Sequence, residues 1–446
     1  MPSLKLKEIR LKDFMNVESG KISMEEGNHI IGIYGPNCSG KSTLVKALKT
    51  AHALFSYAGK GLDPDENKHL ITVGKSKATV SFQFSMEGGE LDYTFSIRKN
   101  RSNDGIYLSY ECVSYESNDK EGSFKQEIRK RTCIEDIDTL SGGNDELQKK
   151  LYKRYEDTSK EHRSFFKAED ASPLIKAMAD FFRNMIFIDA DIEGELRDDP
   201  SSPYALRYDD STYIYSFLDS MLAETGVNLD ELDDPETYED PNLKTYLESS
   251  YLERSLENGI AVRNTIRNLC HKAVNEANGI LGKLVPDSEL NFVQEGFEDK
   301  LFSVRSGAYL PFDYESYGRK KLFKIALELR HLIKEEGYTL VVDELDEGLY
   351  EFLLGKILLF TRKNAKGLLI FTSHNLYPLE TLGKNSIWFA TTDSKHRYTR
   401  LKDVRKSDNP RDKYIQAISG TRWNLTGIID EKRIANAFRS VSKDQK

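Results

Sequence analysis

The octet Gly35-Pro36-Asn37-Cys38-Ser39-Gly40-Lys41-Ser42 follows the apolar run His29-Ile30-Ile31-Gly32-Ile33-Tyr34 and precedes Thr43-Leu44-Val45-Lys46-Ala47-Leu48. Strand, glycine-rich loop and helix in that order make a P-loop. The glycines let successive backbone N–H groups turn inward around phosphates, and the helix that starts at Lys41 adds its positive end. Lys41 is expected to reach the β- and γ-phosphates of a nucleoside triphosphate, and the Ser42 hydroxyl to ligate Mg²⁺. Residues 35–43 are therefore the candidate cofactor-binding loop, with ATP and Mg²⁺ as the expected ligands.

The 446 residues suffice for two or three domain-sized units, and 39% hydrophobic content is that of a globular chain. No apolar stretch approaches the roughly 18 residues of a membrane span. Met1-Pro2-Ser3-Leu4-Lys5 opens no signal peptide, and Cys38, Cys112, Cys133 and Cys270 show no metal-like pairing. The expectation is a cytoplasmic protein in a reducing compartment. A net charge of −8 argues against a globally basic nucleic-acid binder, while leaving room for a local basic face.

A P-loop ATPase needs a carboxylate for the metal and a group that orients water. Tyr338-Thr339-Leu340-Val341-Val342-Asp343-Glu344 reads as a buried strand ending in both: Asp343 for Mg²⁺ and Glu344 for the attacking water. Further on, Gly367-Leu368-Leu369-Ile370-Phe371-Thr372-Ser373-His374-Asn375 reads as a second strand whose polar end offers His374 to the γ-phosphate.

These motifs, with Asp346 in the Asp343-Glu344-Leu345-Asp346 turn, resemble the ABC-type ATPase class that includes SMC proteins and OLD-like ATPases. The chain is most similar to the OLD-like "AAA family" ATPases of bacterial anti-phage defence systems, such as the ATPase components of PARIS and Septu. The likeness extends to Leu6-Lys7-Glu8-Ile9-Arg10-Leu11-Lys12-Asp13-Phe14, Ala78-Thr79-Val80-Ser81-Phe82-Gln83-Phe84 and Ser386-Ile387-Trp388-Phe389-Ala390. It implies an α/β P-loop NTPase of the ABC/SMC-like class, with a mixed sheet core, an antiparallel β lobe and an inserted, mainly helical subdomain. In that family a Glu-Ser-x-Gly signature precedes the metal-binding strand, and it stands here as Glu315-Ser316-Tyr317-Gly318. Ser316, Gly318 and Asp346 thereby join the expected nucleotide-binding set, and Arg319 departs from the family's usual Thr or Gln. The resemblance further implies ATP held between the P-loop of one subunit and the signature of another, hence a homodimer or larger homo-oligomer.

Leu140-Ser141-Gly142-Gly143 is the better literal match to the transporter-type signature, yet it lies far upstream of Asp343 and reads as a loop. Met185-Ile186-Phe187-Ile188-Asp189-Ala190-Asp191-Ile192-Glu193-Gly194-Glu195 resembles a TOPRIM metal site, but no upstream strand ending in Glu-Gly accompanies it. It reads as a strand-end turn, leaving an ATPase without its own effector. The expected organisation is a first ATPase lobe over 1–143, an inserted helical subdomain with an acidic loop near 230–241 over 144–289, a second lobe over 290–400, and a basic tail over 401–446. Arg397, Arg400, Lys402, Arg405, Lys406, Arg411 and Lys413 interleave with Tyr398 and Tyr414, a pattern that fits a nucleic-acid contact, although intervening acidic residues favour a solvated surface. The favoured function is an ATP-hydrolysing sensor or scaffold that responds to a phage-derived trigger and controls a separate effector such as a nuclease. The alternative is an SMC-like DNA repair or maintenance ATPase acting on nucleic acid, against which the absence of a long heptad array weighs.

Overall fold

The computed structural model describes residues 4–188, 271–400 and 411–414, apart from positions 38, 57–60, 64–66, 101–104, 119–121, 131, 161, 168–171, 273, 286–288, 296–297 and 413. The acidic run near 230–241, the Asp189 to Glu195 segment and most of the tail lie outside the described residues.

An antiparallel sheet is built from β1 (Lys5–Phe14), β2 (Val17–Ser23), β4 (Lys77–Met86), β5 (Gly89–Lys99), β6 (Ile106–Ser117) and β7 (Phe124–Arg129), in the order β2-β1-β4-β5-β6-β7. Ala78, Val80, Phe82 and Phe84 of β4 point inward, and Thr79, Ser81 and Gln83 point outward, as a half-buried strand of period two requires.

The second sheet is mostly parallel. It comprises β3 (Ile30–Tyr34), β8 (Met185–Ile188), β12 (Thr339–Val342), β13 (Leu368–Ser373), β14 (Ile387–Ala390) and a short antiparallel edge β15 (Tyr398–Thr399), in the order β15-β14-β3-β13-β12-β8. Such strands are covered on both faces and read as unbroken apolar runs. Ile31, Ile33, Val341 and Ile370 face one core with α1 (Lys41–Phe55) and the antiparallel sheet. Ile30, Leu340, Val342 and Phe371 face another with α5 (Tyr317–Lys334) and α6 (Glu351–Asn364). A third, antiparallel sheet of β9 (Glu289–Glu295), β10 (Glu298–Arg305) and β11 (Ala308–Pro311) precedes α5.

Residues 145–188, expected in the inserted subdomain, pack with the first lobe. Between α2 (Cys133–Ser141) and β8 run α3 (Asp145–Lys160) and α4 (Pro173–Arg183). Leu151 of α3 and Ile175, Met178 and Phe182 of α4 belong to the first-lobe core, and β8 pairs in parallel with β12. The polar surface of α3 suggested independence, but its single apolar stripe is covered by the lobe.

Phe182 fixes α4 against α1 and the antiparallel sheet. It stacks on Phe55 of α1, with ring centroids 5.2 Å apart and planes at 11°, and meets Phe82 edge-on at 4.8 Å. Phe182→Ala is expected to cost about 3–5 kcal/mol, measured by denaturant unfolding.

Candidate active site

The carboxyl ends of β3, β13 and β12 lie side by side, so their loops share one edge, where open α/β sheets place their ligands. The P-loop leaves β3 and the switch segment leaves β13. The Asp343–Gly348 turn leaves β12, one strand further on.

The P-loop can be so tight only because of its glycines. A Cβ on Gly35 would stand 2.5 Å from the Ala390 carbonyl oxygen, and Gly40 caps α1 in a left-handed conformation at φ +94°. No acidic residue occupies the first turn of α1, so the helix supplies no carboxylate of its own to offset its positive end. Lys41 is buried, and its Nζ donates to the carbonyls of Gly35 at 2.9 Å and Pro36 at 3.0 Å. Cys38 lies outside the described residues.

Ser42 Oγ donates to Asp343 Oδ1 at 3.3 Å, across 301 positions of sequence. Two hard oxygens at that separation fit one Mg²⁺ whose other ligands are phosphate and water. Thr372, at the end of β13, organises both acidic residues: its Oγ1 donates to Asp343 Oδ1 and accepts from the Glu344 N–H at 2.7 Å. Glu344 has φ +48°, a left-handed backbone that a non-glycine residue seldom adopts. Its carbonyl accepts from the Nζ of Lys321, a fully buried lysine one turn into α5. Burial lowers the Lys321 pKa, while the nearby Glu347, Asp346, Glu344 and Asp343 favour its charged form.

His374 Nε2 stands 3.8 Å from Glu344 Oε1, with both side chains partly exposed at the edge. Asp346 lies against the switch loop. Its carboxylate accepts backbone N–H bonds from His374 at 3.0 Å and Asn375 at 2.8 Å, so it shapes the switch loop. Asp346 is thus a positioning residue for His374.

Ser316 is the N-cap residue of α5, with extended φ −62° and ψ 146°. A Cβ on Gly318 would come within 2.0 Å of the Gly348 carbonyl oxygen, and Tyr317 Oη donates to Glu347 at 3.0 Å. The signature therefore packs on the turn that follows Glu344. Among the described residues no hydrogen bond joins Ser316 or Gly318 to the P-loop of the same chain. Arg319 turns back to the buried Glu315 carboxylate at 3.2 Å, which also pairs with Arg305. Ser141, the rival, is the last residue of α2 and precedes the left-handed cap Gly142. A helix C-terminus presents carbonyls, the wrong polarity for phosphate.

Three site residues escaped the sequence reading in this role. Arg397 is buried and donates to the Ser39 carbonyl at 3.3 Å, to Thr391 O at 2.8 Å and to Asn16 O. The Tyr398 hydroxyl donates to the Gly40 carbonyl at 2.7 Å, and Asn16 Oδ1 accepts from Thr43 at 2.8 Å. These residues hold the loop from behind. The basic tail pattern is corrected accordingly: Arg397 supports the P-loop, Arg400 pairs with Glu25 over Trp388, and Arg411 pairs with Glu380 at 3.3 Å. Alternating charge and aromatic residues look alike in a solvated tail and in a strand that clamps a loop, and the buried Tyr398 decides between them. Tyr398→Phe is expected to weaken ATP binding about three- to tenfold, the worth of one hydrogen bond. The melting temperature without nucleotide should stay nearly unchanged, and titration calorimetry beside thermal melts separates the two effects.

This is the arrangement of a P-loop NTPase. The family described as "AAA domain, putative AbiEii toxin, Type IV TA system" matches residues 30–380. No curated protein matches the chain in sequence. Among solved structures it is similar to an Smc head bound to the C-terminal winged-helix domain of ScpA (13% identity, TM-score 0.47, covering 89% of this chain and 98% of that one). It is also similar to an Smc head with coiled coil and joint from Pyrococcus yayanosii (15% identity, TM-score 0.45, covering 94% and 100%). A third is the recombination mediator RecF with ATP (12% identity, TM-score 0.43, covering 90% and 100%).

Proposed function

The chain belongs to this AAA domain family, and from that premise we propose that it is the ATP-hydrolysing sensor or scaffold of a bacterial anti-phage defence system. In this reading it forms a homodimer or larger homo-oligomer, responds to a phage-derived trigger and controls a separate effector such as a nuclease. The family's description, with its toxin and toxin–antitoxin system, supports the defence setting. The observation that carries the assembly is the placement of Ser316 and Gly318, which pack on the Glu344 turn with no hydrogen bond, among the described residues, to their own P-loop. Tyr314, Tyr350 and Phe352 stand exposed within a few residues of the Gly318–Gly348 contact, an apolar surface that a second copy would cover.

Within the site, Ser42 and Asp343 would hold Mg²⁺, which when bound neutralises charge on the transferring phosphoryl oxygens. Lys41 and the P-loop amides bind and orient the phosphates. The Glu344 carboxylate orients the attacking water and accepts its proton, and His374 faces that carboxylate from the neighbouring strand. From a second subunit, Ser316 and the first amides of α5 would close the site over the γ-phosphate.

Glu344→Gln is expected to keep ATP affinity, lose at least 100-fold in turnover and accumulate the closed assembly; Lys41→Ala should lose binding. A mixture of Lys41→Ala and Ser316→Arg subunits, each inactive alone, should recover at most about a quarter of wild-type sites, because half the dimers carry one intact composite site. No recovery from subunits shown to exchange would refute a site made in trans. The purified chain should hydrolyse ATP and leave DNA and RNA uncut with Mg²⁺ or Mn²⁺; cleavage lost in Asp189→Ala/Asp191→Ala would place the effector in this chain.

A further inference from the structure

The outward face of the antiparallel sheet is divided by charge. At one end its cations are paired: Lys21 and Arg10 with Glu8, and Lys7 with Glu90. At the other end Arg129 of β7 pairs with Glu127 and Asp136, but four further cations have no such partner among the described residues. Lys77 on β4 lies directly opposite Arg98 on β5, and Arg98 opposite Tyr107 on β6. One row along, Lys12 on β1 lies opposite Thr79, and Ser96 opposite Tyr110. Lys130, the residue after β7, sits 4.2 Å over the Tyr107 ring, and Lys77 sits 5.7 Å over Tyr110. Among the described residues none of Lys12, Lys77, Arg98 and Lys130 pairs with a carboxylate.

Like charges directly opposite one another on a sheet are destabilising. Burial lowers the Lys77 pKa, and Arg98 and Lys12 lower it further. Tyrosine rings lessen the repulsion through cation–π contact, yet they supply no net negative charge. The two rows together span β1, β4, β5, β6 and β7, four inter-strand gaps of about 4.8 Å, or roughly 19 Å in all. Cations carried by β1, β4 and β5 and by the residue after β7, all on one face of the sheet, complement the phosphates of a nucleic-acid backbone, and the Arg98 guanidinium can grip one of them with two N–H donors.

We propose that this end of the β face, around Lys12, Lys77, Arg98 and Lys130, binds the phosphate backbone of a nucleic acid. The surface lies close to the nucleotide site: β1 runs from Lys12 to the turn carrying Asn16, which bonds Thr43 beside the P-loop. It is separate from the residues that hold ATP, and the inference stands whether or not the chain serves in defence.

The test is fluorescence anisotropy of a labelled 30-base-pair DNA duplex and a 30-nucleotide single strand against the full chain, over a salt series. Lys12→Gln/Lys77→Gln/Arg98→Gln/Lys130→Gln should lose at least tenfold in affinity at low salt. Its slope of log K against log salt on duplex should be shallower by about 3 to 4, at 0.9 per phosphate contact removed. Removing mutual repulsion should leave its melting temperature equal or higher; if the quadruple variant does not fold, Arg98→Gln and Lys130→Gln alone should each flatten the slope by about 1. The proposal is overturned if the wild type does not bind either probe, or if the variants bind as the wild type does. It is also overturned if the loss follows Lys402→Gln/Arg405→Gln/Lys406→Gln instead, or if a polyglutamate peptide displaces the DNA at equal charge concentration, which would mark a docking surface for an acidic protein.

Discussion

The left-handed peptide at Glu344 is the constraint on which the site depends. A non-glycine residue held there costs on the order of 1–3 kcal/mol and persists only when its surroundings over-determine it. Here Thr372 accepts from its N–H and Lys321 donates to its carbonyl. One partner is the end of the strand that carries the switch histidine; the other belongs to the signature helix. The conformation of Glu344 is thus set jointly by the end of β13 and the start of α5, the two segments proposed to sense the γ-phosphate. Gly318 and Gly348 tighten this connection by letting two backbones meet where any side chain would intrude.

The P-loop is held by the opposite logic, long-range closure. Its carbonyls at Ser39 and Gly40 accept from Arg397 and Tyr398, so a loop near the start of the chain takes its shape from a hairpin near residue 400. The central sheet makes that possible, since β14 lies beside β3 and brings β15 to the back of the loop. Burial lowers the Arg397 pKa, while Tyr398, Asp393 and Glu18 favour its charged form.

Much of this was legible in the sequence because the chemistry demands contiguous patterns. Strand, glycine loop and helix at 30–48, the apolar run ending at Asp343 and Glu344, and the alternation at Ala78–Phe84 each carry their periodicity locally. The choice of Ser316 over Ser141 rested on chain order, and helix polarity gives it a physical reason: one serine opens a helix and the other closes one. What escaped were contacts that close over long separations or turn on burial. Lys321 looks like any lysine in Arg319-Lys320-Lys321, and only the packing of α5 on the β12 turn buries it. Arg397 and Tyr398 read as tail residues because a two-residue strand leaves no periodic trace. The carboxylate of Asp346 also accepts from the amides of His374 and Asn375, a contact that the motif does not reveal. The helices of 145–183 looked separable, since a single buried stripe does not tell which surface covers it.

The central claim, that the signature helix positions the water-orienting glutamate through one buried lysine, is tested most directly on Lys321→Met, which keeps the apolar stem and removes the ammonium. ATP affinity and steady-state turnover would be measured on the same preparation, with a thermal melt to establish folding. The account predicts a turnover loss of about tenfold or more with ATP affinity within about twofold of wild type, the pattern of a lost transition-state contact. Unchanged turnover, or turnover and affinity falling together in a protein that melts normally, would contradict it.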